Sequence, residues 1–313
     1  MQMDKTINSL TVIIPAYNEE KGIGKVLTQL VAKASECGWN IIVVNDASSD
    51  NTAEVVAKFT PSVRLINHRQ NLGYGASIKT GIRNSSAEWI ATFDADGQHR
   101  LEDLEKLTRV TRNFDAVIGI RDSSSKVVMT RFLGKFLLKH VSNLIIGCKL
   151  RDINCGLRLI KRKTIVDILG FTCDRFSFST TSTIALISMG YYINFVEVTV
   201  DKRVGKSTVK QHNDGLETIM LVLRLMILFN PMRIFLLIAF LLIGTGVIYQ
   251  LFELFVQGFS MGKLALLLIT SGLVCFFFAL QQDQISYLRS KIASFKTDFK
   301  EDSINFIERN DSK

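Results

Sequence analysis

The chain has 313 residues, a net charge of +9 and 47% apolar residues, enough for one catalytic domain with an additional part. Its five cysteines include no C-x-x-C pair, which argues against a disulfide framework or a zinc site. The basic charge fits either nucleic acid or anionic lipid headgroups. Two long apolar runs near the C-terminus favour lipid, so we expect a membrane partner and no nucleic acid.

The first 120 residues alternate short β-branched runs with segments of helical spacing. Strand patterns occupy Leu10–Ile14, Ile41–Val44, Val63–Ile66, Trp89–Phe93 and Asp115–Ile120. Helical patterns lie between them, at Ile23–Ala34, Thr52–Phe59 and Ala76–Ile82. This alternation predicts an α/β fold with a mostly parallel sheet covered by helices on both faces. Ligands of such sheets bind at the carboxyl ends of the strands.

An acidic segment, Thr92-Phe93-Asp94-Ala95-Asp96-Gly97-Gln98-His99, follows the fourth strand pattern. If extended geometry persists there, Asp94, Asp96 and Gln98 share one face and His99 points away, to the surface or behind the ligands. Their oxygens suit Mg²⁺ or Mn²⁺, which neutralise a pyrophosphate. The alternative is a solvated acidic turn.

Three further motifs follow strand patterns: Pro15-Ala16-Tyr17-Asn18-Glu19-Glu20, Asn45-Asp46-Ala47-Ser48-Ser49-Asp50-Asn51-Thr52 and Asn71-Leu72-Gly73-Tyr74-Gly75-Ala76. With the acidic segment, they resemble the family-2 glycosyltransferases over roughly residues 10 to 210. The resemblance implies a glycosyltransferase-A type fold. It also implies nucleotide-sugar-binding residues, namely Pro15, Ala16, Tyr17, Glu19, Asp46, Asp94 and Ala95. Asp94, Asp96 and Gln98 are the metal ligands that we expect.

Elementary chemistry agrees with this transfer of roles. Asp46 at a strand end can accept hydrogen bonds from base N–H groups, and the ring of Tyr17 can stack on a base. Dinucleotide binding would need G-x-G-x-x-G after the first strand, and residues 15–20 contain no glycine.

The later motifs bear on the acceptor. Asp152-Ile153-Asn154-Cys155-Gly156-Leu157-Arg158-Leu159-Ile160 and Lys202-Arg203-Val204-Gly205-Lys206-Ser207 look like the closing motifs of polyprenyl-phosphate sugar synthases, the dolichyl-phosphate mannose synthase group. Thr208 stands where that group often has lysine. Processive synthases carry Q-x-x-R-W, which is absent here. The resemblance therefore implies inverting transfer from a nucleotide-sugar to undecaprenyl or dolichyl phosphate.

A phosphate acceptor needs cations more than a base, because its second pKa is about 6 and it is already ionised near neutral pH. Arg121, Arg131, Arg203 and Lys206 are the candidates for that contact. We expect Asp96, Asp152 and Arg203 to be catalytic, with Asp152 either a base or a residue that orients an arginine. Two alternatives remain open: another membrane lipid as acceptor, or a catalytically silent membrane scaffold.

The C-terminal part predicts a transmembrane hairpin. Ile234–Tyr249, extended by Leu251 and Phe252, and Leu264–Leu280 are apolar and lack charges, and a span needs about 20 residues. Lysine and arginine flank the hairpin on its outer sides, whereas only Lys263 lies in the loop between the runs, so the catalytic domain should be cytoplasmic. Residues 1–9 are polar and predict no signal peptide.

Basic and apolar segments next to the hairpin suggest further contact with the membrane. The stripe of Arg131, Lys135 and Lys139 fits a helix on the membrane surface or a core helix with a charged edge, and Ile219–Phe229 predicts an interfacial helix. The predicted parts are a glycosyltransferase domain (1–210), an interfacial helix (211–232), the hairpin (233–282) and a tail (283–313), loosely ordered after Lys291. We expect an integral protein of the plasma or inner membrane, and a homo-oligomer is compatible with these features.

Overall fold

The structure, a computed structural model, describes residues 7, 9–121, 154–175, 177–201, 231–257 and 262–310. The described residues up to 201 belong to one compact unit, and those from 231 onward belong to a second. Residues 202–230, which contain the predicted domain boundary after residue 210, lie outside the described residues.

The first unit is built on a sheet of seven strands among its described residues. They are β1 Leu10–Ala16, β2 Asn40–Asn45, β3 Val63–Asn67, β4 Trp89–Thr92, β5 Ala116–Arg121, β6 Arg158–Lys161 and β7 Ile193–Val198. Their order is β3-β2-β1-β4-β6-β5-β7, and β6 alone of these runs antiparallel to its two neighbours. The mostly parallel sheet predicted from the sequence is confirmed.

Six helices of the first unit connect these strands within the described ranges. They are α1 Ile23–Cys37, α2 Thr52–Ala57, α3 Tyr74–Arg83, α4 Leu101–Arg109, α5 Arg162–Ile168 and α6 Phe178–Ser188. On one face of β1, Leu10, Val12 and Ile14 join a buried cluster with residues of α1 and α4. On the other face, Ile13 contacts Gly81 of α3. Every residue of β1 is buried, and side chains that point to opposite faces contact different helices, so helices cover both faces of the sheet.

The second unit contains two long helices, α7 Pro231–Gln257 and α8 Lys263–Asn310. Phe235–Val256 and Lys263–Leu288 are long and apolar enough to cross a membrane, and few of their side chains are buried within the protein. A Cβ at Gly272 would lie 2.5 Å from the side chain of Ile243, so the two helices are in close contact there. The predicted pair of apolar helices is confirmed.

The chain after the second apolar run differs from the sequence prediction. Its charge content predicts a loosely ordered tail after Lys291, but α8 continues as one helix to Asn310. Neither glycine nor proline interrupts residues 289–310, so nothing in the local sequence stops the helix. The expected membrane-surface helix around Arg131 and the interfacial helix at 219–229 lie outside the described residues.

Candidate active site

The carboxyl ends of the central strands bring the sequence motifs to one edge of the sheet. β1 and β2 end together, with Ala16 paired to Asn45, and β4 runs parallel on the other side of β1. Since β6 is antiparallel, its first residue pairs with the last residue of β4. The segments after β1, β2 and β4 and the segment before β6 therefore meet at this edge.

Direct hydrogen bonds join the loops after β1 and β2. The Asn18 N–H donates to Ser48 Oγ (3.0 Å), and the Glu19 N–H donates to Thr52 Oγ1 (2.9 Å). The Glu20 N–H donates to Asp50 Oδ2 (3.2 Å). These bonds fix the backbone that carries Tyr17 and Glu19, whose side chains are half-buried.

Asp46 is almost fully buried at the end of β2, and its carboxylate contacts the chain itself. Oδ1 accepts the Leu72 N–H (2.9 Å) and lies 2.7 Å from Nδ1 of His68, and Oδ2 accepts the Gly73 N–H (2.8 Å). Asp46 thus holds the loop before α3. That it also accepts from a nucleobase stays a prediction.

The acidic segment forms a turn, not a continued strand. β4 ends at Thr92, and Gly97 has a φ of +72°, a left-handed conformation that suits glycine. The expectation that strand alternation places Asp94, Asp96 and Gln98 on one face is therefore wrong in its geometry. Instead, Asp96 Oδ1 accepts the N–H of Gln98 (3.1 Å), which keeps these two residues within one turn.

The neighbours of the Asp94 carboxylate include a phenol, an imidazole and a glycine. Oδ1 accepts the hydroxyl of Tyr74 (2.9 Å), and Oδ2 lies 3.1 Å from Nε2 of His99. A Cβ at Gly156 would lie 2.3 Å from Oδ2, so the backbone before β6 packs directly against this carboxylate. Burial raises the pKa of Tyr74 well above its ordinary value, and the charge of Asp94 adds to this effect, so the phenol stays a donor.

His99 is buried, so a surface position for it is wrong and the position behind Asp94 is the one it occupies. Burial is the largest influence on the pKa of His99 and lowers it. The hydrogen bond to Asp94 and the charges of Asp94 and Asp96 outweigh burial, so the pKa is raised. Arg121, at the end of β5, is near enough for its charge to oppose protonation of His99.

The chain after β7 is attached to the acidic turn. The Asp201 N–H donates to the Gln98 carbonyl (2.9 Å), and Gln98 Nε2 donates to the Asp201 carbonyl (3.3 Å). Arg100 binds both carboxylate oxygens of Asp201, and its Nε donates to Oδ2 at 2.8 Å. Asp201, the last described residue before the gap at residues 202–230, therefore lies beside Gln98.

A fully buried arginine, Arg158, lies behind the site. Its Nε donates to the Cys155 carbonyl (2.8 Å), and Nη1 donates to the hydroxyls of Ser182 and Thr183 on α6 (2.9 and 2.8 Å). Its positive charge acts on Tyr74 and opposes the rise in the pKa of that phenol. Arg158 therefore links the segment before β6 to α6 beneath the acidic turn.

Comparison with known proteins identifies the family. A sequence model described as glycosyl transferase family 2 matches residues 11–169, just over half of the chain. The chain belongs to glycosyltransferase family 2. A second model, the GtrB C-terminal hairpin, matches residues 230–288, which include α7 and the first half of α8.

Individual relatives of this family-2 chain extend the comparison. It is 36% identical over 176 residues to a dolichyl-phosphate beta-glucosyltransferase of Trichomonas vaginalis, covering 49% of this chain and 52% of that protein. It is 24% identical over 265 residues to an undecaprenyl-phosphate 4-deoxy-4-formamido-L-arabinose transferase of Pseudomonas fluorescens, covering 80% and 74%. The chain spans about half the length of the Trichomonas relatives that it matches.

A solved structure shares the fold of this family-2 glycosyltransferase. Glucosyl-3-phosphoglycerate synthase from Mycobacterium tuberculosis, in complex with Mn²⁺, UDP and glucosyl-3-phosphoglycerate, superposes with a TM-score of 0.54. The two are 17% identical, and the match covers 70% of this chain and 78% of that one. This likeness confirms the glycosyltransferase-A fold.

The acidic turn of the family-2 domain fits a divalent ion only with a ligand present. Among the described residues, no three His, Cys, Asp or Glu side chains form a metal cluster. Mg²⁺ is usually held by one or two carboxylates together with substrate phosphates, and Mn²⁺ also suits oxygen ligands. Asp96 and Gln98 share one turn, and that Asp94, Asp96 and Gln98 together hold such an ion stays a prediction.

Most of the described candidate residues lie at the carboxyl edge of the sheet, and several of their neighbours were not among the candidates. Pro15, Ala16 and Ala95 are buried there. Arg131, Asp152, Arg203 and Lys206 lie outside the described residues. The missed residues are Tyr74, Arg158, Arg100 and Asp201. Their contacts join distant segments of the chain, and no local spacing in the sequence indicates them.

Proposed function

We propose that this glycosyltransferase transfers a sugar from a nucleotide-sugar to a polyprenyl phosphate, with inversion at the anomeric carbon. The observation that carries the proposal is the single sheet edge at which Asp46, the Asp94–Gln98 turn and Arg121 converge. Relatives named as dolichyl-phosphate and undecaprenyl-phosphate transferases support the class of acceptor.

The donor occupies the side of the edge formed by the loops after β1, β2 and β4. Pro15, Ala16, Tyr17, Glu19 and Asp46 are proposed to hold the nucleoside. The diphosphate lies at the turn, with Asp94, Asp96 and Gln98 as the donor set for a divalent ion. When bound, Mg²⁺ or Mn²⁺ supplies positive charge that stabilises the leaving nucleoside diphosphate.

The acceptor phosphate approaches from the side of Arg121. Two anionic groups at about 4 Å repel each other by roughly 4 kcal/mol at an effective dielectric constant of 20, so cations have to offset this repulsion. Arg121, with Arg131, Arg203 and Lys206, is proposed for that task. No base has to deprotonate an ionised phosphate, which favours Asp152 as a residue that orients an arginine.

We place the catalytic domain on the cytoplasmic side of the membrane. The charges that support this orientation are Lys202, Arg203, Lys206, Lys210, Arg224 and Arg233 before the hairpin and Arg289, Lys291, Lys296 and Lys300 after it. Loops rich in lysine and arginine stay in the cytoplasm, whereas Lys263 is the one basic residue of the loop between the spans. A nucleotide-sugar donor is then on the same side as the site.

The test is a transfer assay with the full chain in vesicles that contain undecaprenyl or dolichyl phosphate. UDP-glucose, GDP-mannose and UDP-N-acetylglucosamine are offered in turn, with Mn²⁺, with Mg²⁺ or with EDTA. We expect one donor to yield an acid-labile lipid-phosphate sugar in the presence of metal, and a product stable to mild acid would point to a different lipid acceptor.

Asp96→Ala is the matched variant for this assay. It removes a carboxylate of the proposed donor set, so we expect transfer to fall by about a hundredfold or more. Asp167→Ala serves as the control, because that carboxylate accepts the hydroxyl of Tyr191 before the start of β7, at the opposite edge of the sheet. Normal turnover by the Asp96 variant would remove the metal site from the proposal.

A further inference from the structure

Tyr74 lies between the two ends of the proposed donor site. It is the first residue of α3 and directly follows Gly73, whose N–H is bound by Asp46. Its own hydroxyl donates to Asp94. One short loop therefore contacts both the residue proposed for the nucleoside and a residue proposed for the metal and diphosphate.

Asp46 fixes the loop from the side of β2. Its carboxylate takes the N–H groups of Leu72 and Gly73 at 2.9 and 2.8 Å. His68 bridges Asp46 to α3, because its Nδ1 lies 2.7 Å from Asp46 Oδ1 and its Nε2 lies 2.9 Å from Thr80 Oγ1. A shift of Asp46 therefore moves the start of α3.

The segment before α6 fixes the same loop from the opposite side. Gly73 has a φ of +104°, and a Cβ there would lie 2.8 Å from the Asp174 carbonyl oxygen. The Ala76 N–H donates to that oxygen at 2.7 Å. Lys79 holds the segment in turn, since its Nζ donates to the Thr172 carbonyl and to Asp174 Oδ1, both at 2.7 Å. The backbone of Tyr74 is thus clamped on both sides.

The far end of the Tyr74 side chain meets a carboxylate with little freedom to move. Asp94 Oδ1 accepts the phenol, Oδ2 lies against His99, and the Gly156 backbone packs on the carboxylate. The backbone of Tyr74 is held on both sides, so the position of the loop fixes where the phenol contacts Asp94. Removing the hydroxyl takes away one hydrogen bond to Asp94 Oδ1 without removing any residue of the loop.

We propose that Tyr74 is a positioning residue: its hydroxyl orients Asp94 and, through the Leu72–Gly73 amides, couples the metal end of the donor site to the nucleoside end at Asp46. The inference rests on the proposed function, in which Asp46 and Asp94 bind one donor molecule. Coupling between two ligands is reciprocal, so metal should strengthen nucleotide binding more in the parent chain than in a chain without this hydroxyl.

The test compares Tyr74→Phe with Tyr191→Phe in the full chain. Tyr191 on the same unit also donates to a carboxylate, Asp167 Oδ2 at 3.0 Å, so its variant loses a similar bond away from the site. The affinities for UDP and for GDP are measured by calorimetry with Mn²⁺ and with EDTA. We expect Tyr74→Phe to lose about tenfold in the Mn²⁺-dependent affinity and to keep the affinity in EDTA. We expect Tyr191→Phe to match the parent in both.

Equal losses of nucleotide affinity with Mn²⁺ and with EDTA would mean that Tyr74 only supports the fold. No loss of affinity in either condition would mean that the hydroxyl does not couple the two ends. Either result overturns the inference. A double-mutant cycle adds a second measurement: in an Asp94→Asn background, Tyr74→Phe should change the Mn²⁺-dependent affinity by less than about twofold. If the parent chain binds nucleotide and Mn²⁺ but transfers no sugar, the proposed function is removed. The comparison of nucleotide affinities with Mn²⁺ and with EDTA then still tests the role of Tyr74. A parent that binds neither overturns both.

Discussion

The position of the Asp94 carboxylate depends on Gly156, a residue that has no side chain. The carboxylate packs on the backbone of Gly156, whose carbonyl accepts the hydroxyl of Thr92 at 2.5 Å. Thr92 ends β4, so the strand that leads to Asp94 also fixes the backbone against which Asp94 rests. A methyl group at position 156 would occupy the space of Oδ2, and the short side chain of aspartate has few ways to avoid it.

We therefore predict that Gly156→Ala lowers the rate of sugar transfer by about tenfold or more, because displacement of a catalytic group by about 1 Å is costly. It should also raise the Mn²⁺ concentration needed for half-maximal rate. Gly170→Ala is the control, since a Cβ there has no neighbour within 4 Å. The two variants are compared in the transfer assay across a Mn²⁺ titration. Equal activity of both variants would show that Asp94 tolerates displacement.

At the scale of elements, the chain after β7 is attached to the start of α4. This attachment links the acidic turn to Asp201, which a basic segment follows in the sequence. Arg100 grips the carboxylate of Asp201, and Asp103 accepts the Thr199 N–H at 3.0 Å. Gln98 adds two bonds to Asp201: its carbonyl accepts the Asp201 N–H, and its side-chain Nε2 donates to the Asp201 carbonyl. The side chains of Arg100 and Asp201 are about half exposed, so their ion pair contributes little to stability, and its use is to hold the chain in place.

Replacing Arg100 with glutamine should raise the KM for polyprenyl phosphate several-fold and leave the donor KM within twofold. The reason is that Arg203 and Lys206, which are proposed to bind the acceptor phosphate, follow Asp201 closely in the sequence. Arg109→Gln is the matched control: Arg109 pairs with Glu105 on the same helix at 3.3 Å, away from Asp201. Steady-state kinetics with each substrate varied separately checks this expectation. A donor KM that rises as much as the acceptor KM would contradict it.

The pH dependence of this contact follows from the pKa of Asp201. The hydrogen bond from Arg100 lowers this pKa below the ordinary 3.8, and the charges of Arg100 and Lys25 lower it further, while burial opposes them. A carboxylate with a lowered pKa keeps its ion pair at all pH values above that pKa and loses it only as the pH falls through it. The acceptor KM of the parent chain should therefore not change between pH 5.5 and 8.5 on account of this pair. A change in that range that Arg100→Gln abolishes would show the opposite.

The elements that sequence patterns predicted share one property, which is a regular apolar face. β1, β2 and α1 bury alternating or helically spaced apolar residues in one core, so periodicity revealed them. α6 has no such face: Ser179 to Thr183 are all buried, and their hydroxyls bond to α6 carbonyls, to Asn154 and to Arg158. β6 is four residues long and begins and ends with a basic residue. These two segments form a helix and a strand because of their tertiary contacts, since no local apolar pattern indicates them.

The residues of the site divide in the same way into those that strand ends position and those that tertiary packing brings close. Strand ends could be located from the sequence, and parallel pairing then brought Asp46 and Asp94 to one edge. The turn at Gly97 ends the alternation of side chains along the strand, and the prediction that Asp96 and Gln98 point to one face depended on that alternation. Partners such as Tyr74 lie about 20 residues from Asp94 in sequence, and only the packing of α3 against the sheet brings them into contact.

For the whole molecule, the paired apolar helices determine on which side of the membrane each part can lie. Phe235–Val256 and Lys263–Leu288 have 22 and 26 residues, enough to cross a ~30 Å hydrocarbon layer. Their contact at Gly272 requires that no side chain separates them at that point. Two antiparallel spans return the chain to the side from which it came. The catalytic unit and the end of α8 should then share one side, and Lys263 should lie on the other.

Labelling with a membrane-impermeant maleimide tests this arrangement. Lys263 is exposed at the start of α8, and Cys37 is a half-exposed thiol of the catalytic unit. In sealed right-side-out vesicles we expect Lys263→Cys to be labelled without permeabilisation, because α7 has carried the chain across the membrane by that position. Cys37 should be labelled only after detergent opens the vesicles, so it serves as the internal control. Labelling of both thiols from the outside would put the catalytic unit on the wrong side for a cytoplasmic donor, and protection of both would show that the apolar helices do not cross.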